Sequence, residues 1–149
     1  QTTLSLDDTA KIIKALKKRY PKIKGPPKAD ICYATQNRQN AVKVLSKKVD
    51  LVLVVGAENS SNSLRLLEVA KSTGVMARRI ESAAELKMEW LEEVKCVGIT
   101  AGASAPEEIV QGIVEEIKQI SPIGSVSSLE IVSEDVTFAL PPVLRKAKF

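Results

Sequence analysis

Short apolar, β-branched runs alternate along this chain with amphipathic stretches, and a polar turn separates each pair. Leu51 to Val55 leads through Gly56-Ala57-Glu58-Asn59-Ser60-Ser61-Asn62-Ser63 into a helical pattern that runs from Ser60 to Thr73 and stops at Gly74. Lys95 to Thr100 leads through Thr100-Ala101-Gly102-Ala103-Ser104-Ala105-Pro106 into Pro106 to Ile120, a helix with proline in its first turn. Ile31 to Ala34 reads as extended before a helix over Asn37 to Lys48, with Asp30-Ile31-Cys32-Tyr33-Ala34-Thr35-Gln36-Asn37-Arg38-Gln39 as a third polar turn carrying a thiol. Met76 to Ile80 reads as a strand, and Ala83 to Leu91 as a broken helical stretch. Strands alternating with helices over short loops specify an α/β fold: a mostly parallel sheet with helices on both faces, in three layers.

The ends depart from that rhythm. Asp7 or Asp8 can cap a first helix running to about Tyr20, where Ile12, Ile13, Leu16 and Tyr20 share one face and Pro21 ends it. Lys22 to Lys28 contains Gly25-Pro26-Pro27 and forms the clearest boundary, since paired prolines forbid both helix and ladder pairing. The segment before it therefore belongs to another unit. Beyond Ser121 a Pro/Gly/Ser-rich connection leads to a short strand at Val136 to Leu140, stopped by Pro141-Pro142. Gln1-Thr2-Thr3-Leu4-Ser5 reads as a strand with no preceding cap and no initiator methionine, as in a piece of something longer.

A chain of 149 residues, 44% apolar and 27% charged, can bury one real core. No apolar run approaches a bilayer span and no secretory signal opens the chain, so the expected location is cytoplasmic, with no membrane partner. The charge of +4 comes partly from Lys11, Lys14, Lys17, Lys18 and Arg19 and from Arg145, Lys146 and Lys148, which read as solvated faces. With aromatics at 3% and none interleaved with those cations, nucleic acid is not an expected partner.

Ligands of open parallel sheets bind outside the carboxyl ends of the strands, the edge where all three polar turns fall. The first amides of a helix lack intrahelical acceptors and lie at the positive end of its dipole, so an anion there is stabilised. Capping by Ser60 or Asn59 is the alternative at the first turn, yet one residue suffices to cap and five polar residues stand in a row from Asn59 to Ser63. The small residues from Thr100 to Pro106 suit close approach of a ligand, or equally a tight buried turn. Of the two cysteines, Cys96 between Lys95 and Val97 reads as a small core residue, whereas Cys32 lies nearer the presumed cleft as a candidate thiolate ligand or a structural thiol. With no histidine and no second cysteine at ligand spacing, this chain alone assembles neither a zinc site nor a four-iron cluster, and no nucleophile has a base beside it.

Four segments taken together, Gln1-Thr2-Thr3-Leu4-Ser5, Asp30 to Gln39, Asn59 to Ser63 and Thr100 to Pro106, in this order and at this spacing, resemble the C-terminal half of the LytB-type hydroxymethylbutenyl diphosphate reductases. These are iron–sulfur enzymes of the non-mevalonate isoprenoid pathway. The resemblance implies a reductive dehydroxylation of an allylic alcohol diphosphate to isopentenyl and dimethylallyl diphosphates. It also implies three α/β units in a trefoil-like arrangement around an iron-sulfur cluster of the 4Fe-4S type, each unit supplying one cysteine. Residues 1–28 would then end the second unit, 29–120 form the third, and 121–149 return to the first. Cys32 matches a cluster ligand; Ser60, Ser61, Asn62 and Ser104 match diphosphate-binding residues; Thr2 matches the catalytic threonine near the substrate hydroxyl, and Thr3 and Thr35 line the pocket. Asn59 and Ser63 are expected to support the turn rather than touch substrate. The implied partners are the diphosphate substrate, an external electron donor such as ferredoxin or flavodoxin, and the N-terminal half of the same enzyme. The other cluster cysteines, the diphosphate-binding histidines and the proton-donating glutamate of the family have no counterpart in this sequence, so the 149-residue chain is expected to be inactive alone. A non-catalytic phosphate-binding module that lacks the cluster is the alternative.

Overall fold

The computed structural model describes residues 4–25, 32–121, 124–129 and 131. Its elements in chain order are α1 (Leu6–Arg19), α2 (Tyr33–Leu45), β1 (Leu51–Val55), α3 (Ser61–Ser72), β2 (Met76–Ile80), 3-10 turns at Ala83–Glu85 and Met88–Trp90, β3 (Val97–Ala101) and α4 (Glu107–Ile120). The expected α/β class is what these elements form.

All five residues of β1 are buried, and an apolar run covered on both sides has to lie in the middle of the layers. The three strands form one sheet in the order β2-β1-β3. Both pairings are parallel: Leu51 stands opposite Met76 and Val97, and Val55 opposite Ile80 and Ala101. Alternate β1 side chains feed two cores. Val52 and Val54 pack with Val42 of α2, Leu66, Val69 and Ala70 of α3, and Ala77. Leu51, Leu53 and Val55 pack with Ile80 and with Ile113 of α4, under a second shell that includes Leu86, Trp90 and Leu91 from the 3-10 turns. Full burial of each such aliphatic side chain contributes roughly 1.5–3 kcal/mol, so β1 anchors both layers. From β1 the chain moves first to β2 on one side and then to β3 on the other. Crossovers in opposite directions must lie on opposite faces if both keep the usual right hand, which accounts for helices on both.

Several elements differ from the sequence expectation. Ser5 rather than Asp7 or Asp8 caps α1, its hydroxyl accepting from the Asp8 amide at 3.3 Å. Both aspartates instead occupy the first turn, where they complement the dipole. The apolar face Ile12, Ile13, Leu16 and Tyr20 is present but exposed, and α1 buries no residue. The strand expected at Ile31 to Ala34 is not formed by its described part, because Tyr33 and Ala34 already belong to α2 and the Cys32 carbonyl accepts from the Thr35 and Gln36 amides. Ala34, Gln36, Arg38 and Gln39 are good helix formers, and the apolar group before them is too short to compete. β3 begins at Val97, which leaves Cys96 exposed ahead of the strand instead of in the core. Its N–H donates to Asp50 Oδ2 at 2.9 Å, a tie that closes the amino edge of the sheet. Pro106 is the residue before α4 rather than inside its first turn. Gly74 adopts φ 88° behind α3, the left-handed stop that glycine takes without Cβ strain. The tail strand at Val136 to Leu140 lies outside the described residues.

Candidate functional site

In the order β2-β1-β3 the topology reverses at β1, so the crevice lies at the carboxyl ends of β1 and β3. Those ends are held together directly: the Gly102 amide donates to the Val55 carbonyl at 2.9 Å, and the Gly56 amide to Ile80 at 3.0 Å. A Cβ on either Gly56 or Gly102 would land on the hydroxyl of Ser63, whose side chain is wholly buried. Glycine at both positions lets the two turns close around one serine.

Ser60 is the N-cap of α3, with extended dihedrals (φ −80°, ψ 100°) and a hydroxyl that accepts from the Ser63 amide at 3.3 Å. This decides the capping residue in favour of Ser60 over Asn59. Ser61 and Asn62 follow in the first turn, exposed and half-buried respectively, and their amides have no acceptor within the helix. Carboxylates fill the first turns of α1 (Asp7, Asp8) and α4 (Glu107, Glu108), whereas those of α2 and α3 contain none. A helix N-terminus already carrying carboxylates repels a further anion, so the start of α3 suits an anion better than that of α4. That distinction was legible in the letters, as the Glu107-Glu108 pair directly behind Pro106, but is not drawn from the turn residues alone.

Ser104 lines a pocket of about 170 Å³ with Val55, Gly56, Ala57, Glu81, Ala105, Pro106 and Ile109. Ser60, Ser61 and Asn62 are not among its walls, so the two serine turns share a sheet edge but not this depression. Glu81 is a residue that the sequence reading does not single out, although its place directly after β2 puts it at the same edge. Its carboxylate accepts from Arg79 Nη1 at 2.7 Å and from the Glu58 amide. Those bonds, Arg79 first, hold its carboxyl below the usual carboxylate range. Arg79 Nη1 also donates to the Gly56 carbonyl at 3.0 Å, so β2 braces the turn after β1 from outside.

Cys32 immediately precedes α2, half-buried, with no side-chain cap of its own. Five residues (46–50) return the chain from α2 into β1, so α2 runs against the strand and its N-terminus faces the carboxyl edge. The neighbouring amide of Thr35, then that of Ala34, and the Thr35 hydroxyl draw the thiol below its ordinary value, which favours thiolate. Thr35 itself is buried. Among the described residues no group of three or more Cys, Asp or Glu stands at metal-ligand distance. Thr2 and Thr3 lie outside the described residues.

A family model described as LytB protein matches residues 1–118. The chain is similar to the 4-hydroxy-3-methylbut-2-enyl diphosphate reductase of Psychromonas ingrahamii, 56% identical over 146 residues that make up 97% of this chain and 46% of the relative. The enzyme of the same name from Haemophilus influenzae is 53% identical over 145 residues, with coverage of 97% and 46%. The chain thus spans about half the length of the curated relatives it matches. Among solved structures, the E-1-hydroxy-2-methyl-but-2-enyl-4-diphosphate reductase of Plasmodium falciparum superposes with a TM-score of 0.75 at 38% identity, over 79% of this chain and 37% of that one. A second structure, an (E)-4-hydroxy-3-methyl-but-2-enyl diphosphate reductase described as the terminal enzyme of the non-mevalonate pathway, gives 0.58 at 34% identity, over 80% and 42%.

Proposed function

Because the chain belongs to the LytB protein family, we propose that it is part of a reductase that converts 4-hydroxy-3-methylbut-2-enyl diphosphate to isopentenyl and dimethylallyl diphosphates. Overall, the allylic C–O bond is cleaved, two electrons and two protons are taken up, and the hydroxyl leaves as water. Residues 29–120 form one α/β unit of this enzyme, residues 1–28 end the preceding unit, and residues 121–149 return to the first. The loose, surface attachment of α1, which buries nothing here, supports that division.

The observation that carries the reading is the pairing of two carboxylate-free helix N-termini at one sheet edge, α3 with its serines and α2 with a thiol drawn toward thiolate. In this reading the Ser61 and Asn62 amides, with the side chains of Ser60, Ser61 and Asn62, bind the diphosphate, and Ser104 approaches it from the turn after β3. Anchoring the diphosphate fixes where the allylic end of the substrate lies and excludes water around it. Cys32 would hold one iron of a 4Fe-4S cluster whose remaining ligands come from outside this chain, and such a cluster would supply the electrons for reduction. Thr2 serves at the substrate hydroxyl, with Thr3 and Thr35 as pocket walls. The electrons come from an external one-electron carrier such as ferredoxin or flavodoxin. Among the described residues no helix is long and apolar enough to cross a membrane.

The test is the polypeptide carrying this sequence at its full genomic length, purified without oxygen and assayed for reduction of the alcohol diphosphate with a chemical electron donor. Activity with a cluster absorbance that Cys32→Ser diminishes is the expected result, together with a raised KM for Ser60→Ala. A Cys32→Ser protein that keeps both cluster and rate refutes the role of Cys32. Diphosphate binding with no cluster under any reconstitution points to the binding module instead.

A further inference from the structure

The two outer strands of the sheet are finished differently. β2 carries Arg78 and Arg79, and charges along an edge discourage a further strand from pairing there. β3 reads Val97-Gly98-Ile99-Thr100-Ala101, with no charge and no proline. Its inner side is fixed by the Gly102 amide, which donates to the Val55 carbonyl, and by the Cys96 carbonyl, which accepts from the Leu51 amide at 3.4 Å. Backbone groups of successive strand residues point to opposite sides, so Gly98 and Thr100 also face β1, while Val97, Ile99 and Ala101 turn their N–H and C=O groups outward. Among the described residues no strand pairs with that outer side.

The connections say which strand belongs there. The link from β2 to β3 covers the sheet with Leu86, Trp90 and Leu91, and α4 lies on the same face through Ile113. Right-handed crossovers on one face all step in one direction, so the strand after α4 falls beyond β3, on its open side. α4 starts behind the turn at the carboxyl edge and runs back, so the chain leaves Ile120 at the amino edge, where a parallel partner of β3 must begin. The strand that the sequence places after α4 is Val136-Thr137-Phe138-Ala139-Leu140, outside the described residues. It has no charge, is as long as β3 and is stopped by Pro141-Pro142. Residues 121–135 link it to α4, ample for the roughly 10 Å step from a packed layer to the sheet. We propose that Val136 to Leu140 adds to the outer edge of β3 as a fourth, parallel strand, so that the unit is closed by its own chain. The return to the first unit then falls to the residues beyond Pro142, and β3, with the turn that carries Ser104, is held from both sides.

The experiment is residue-resolved amide hydrogen exchange on the full-length protein, as wild type and with Thr137→Pro and Phe138→Pro together. Consecutive strand amides point to opposite sides, so in either register one of the two prolines removes a bond to β3. In the wild type Ile99 and Ala101 should exchange as slowly as Gly98 and Thr100. In the variant Ile99 and Ala101 should exchange at least about fivefold faster, as for the loss of one hydrogen bond, while Gly98 and Thr100 keep their rates. Fast exchange at Ile99 and Ala101 in the wild type overturns the proposal. Slow exchange that survives the prolines overturns it too, since a second copy or the N-terminal half would then cover the edge. Should all four amides accelerate together because the variant unfolds, nuclear Overhauser contacts in the wild type decide. Cross-strand contacts between β3 and Val136 to Leu140 in parallel order uphold the pairing, and their absence overturns it.

Discussion

Replacing Gln39 by leucine should detach α1 while leaving the sheet intact. Gln39 is 1% exposed on α2, and its amide spans to the start of α1: Nε2 donates to the Leu4 carbonyl at 2.7 Å and Oε1 accepts from the Leu6 amide at 3.1 Å. Leucine fills nearly the same volume, so the change removes two hydrogen bonds without opening a cavity. At about 1 kcal/mol each, α1 loses about 2 kcal/mol of attachment. Little else holds it. α1 buries no residue, and among the described residues its side-chain ties to other elements include exposed ion pairs, Asp7 with Lys43 at 2.8 Å and Asp8 with Arg65 at 3.9 Å, each worth about 0.2–1 kcal/mol. A free helix of this length is marginal in water, so undocking and unwinding coincide. The open population should rise by about thirtyfold, the equivalent of 2 kcal/mol. Amide hydrogen exchange in Leu6–Arg19 should accelerate by that factor, while amides of β1 keep their protection. Unchanged exchange in α1, or acceleration of β1 in step with it, would refute the account of α1 as an element tethered mainly by one glutamine.

Three further outcomes follow from single groups. Ser46 Oγ is the one buried side-chain atom without a partner among the described residues, so Ser46→Ala should be neutral or stabilise by up to about 1 kcal/mol in urea titrations; a clear loss would expose an unseen bond. The carboxyl of Glu81 titrates below the usual range in the fold, so its stabilisation is complete above the ordinary carboxylate value and is lost as pH falls through the lowered one. Glu81→Gln should therefore flatten the acid limb of the melting temperature against pH, and an unaltered limb would contradict the Arg79 pairing. Cys32, lowered chiefly by the Thr35 amide, should be alkylated by iodoacetamide with a midpoint below the ordinary thiol value in the ligand-free protein. A midpoint at the ordinary value, followed by mass spectrometry of the Cys32 peptide, would remove the thiolate from the site.

The layers were readable because β1, α3 and α4 each satisfy local propensity and burial at once. Leu51 to Val55 is apolar throughout and buried on both faces, and Ser60 and Gly74 bracket α3 with cap and stop chemistry. Errors fell where a short apolar group met competing signals. Tyr33 and Ala34 look extended beside Ile31, yet the helix formers behind them recruit both into α2. Cys96 reads as strand by its neighbours, but the carboxylate of Asp50 binds its amide and keeps it in the turn. The serine turns were legible as polar turns at one sheet edge. The contrast between α3 and α4 stood in the letters as Glu107-Glu108 behind Pro106, whereas the enclosure of Ser63 needed three dimensions, since Gly56 and Gly102 are 46 residues apart.

The strand order also sets an order of assembly. β1 and β2 pair at a separation of 25 residues, Leu51 with Met76, and α3 lies between them to cover the pair. β3 joins the opposite edge of β1 from 46 residues away, Leu51 with Val97, and the stretch between β2 and β3 supplies only two 3-10 turns. Nearly doubling the loop adds about 0.6 kcal/mol of closure entropy, and the intervening segment contributes less local structure to offset it. β3 therefore docks after the β1-α3-β2 unit has formed. Until it does, Gly102 is not against Ser63 and the turn carrying Ser104 is not at the edge where Ser60 waits. A ligand that bridges the two turns acts on this last step alone: it slows the departure of β3 and leaves the earlier unit as it was.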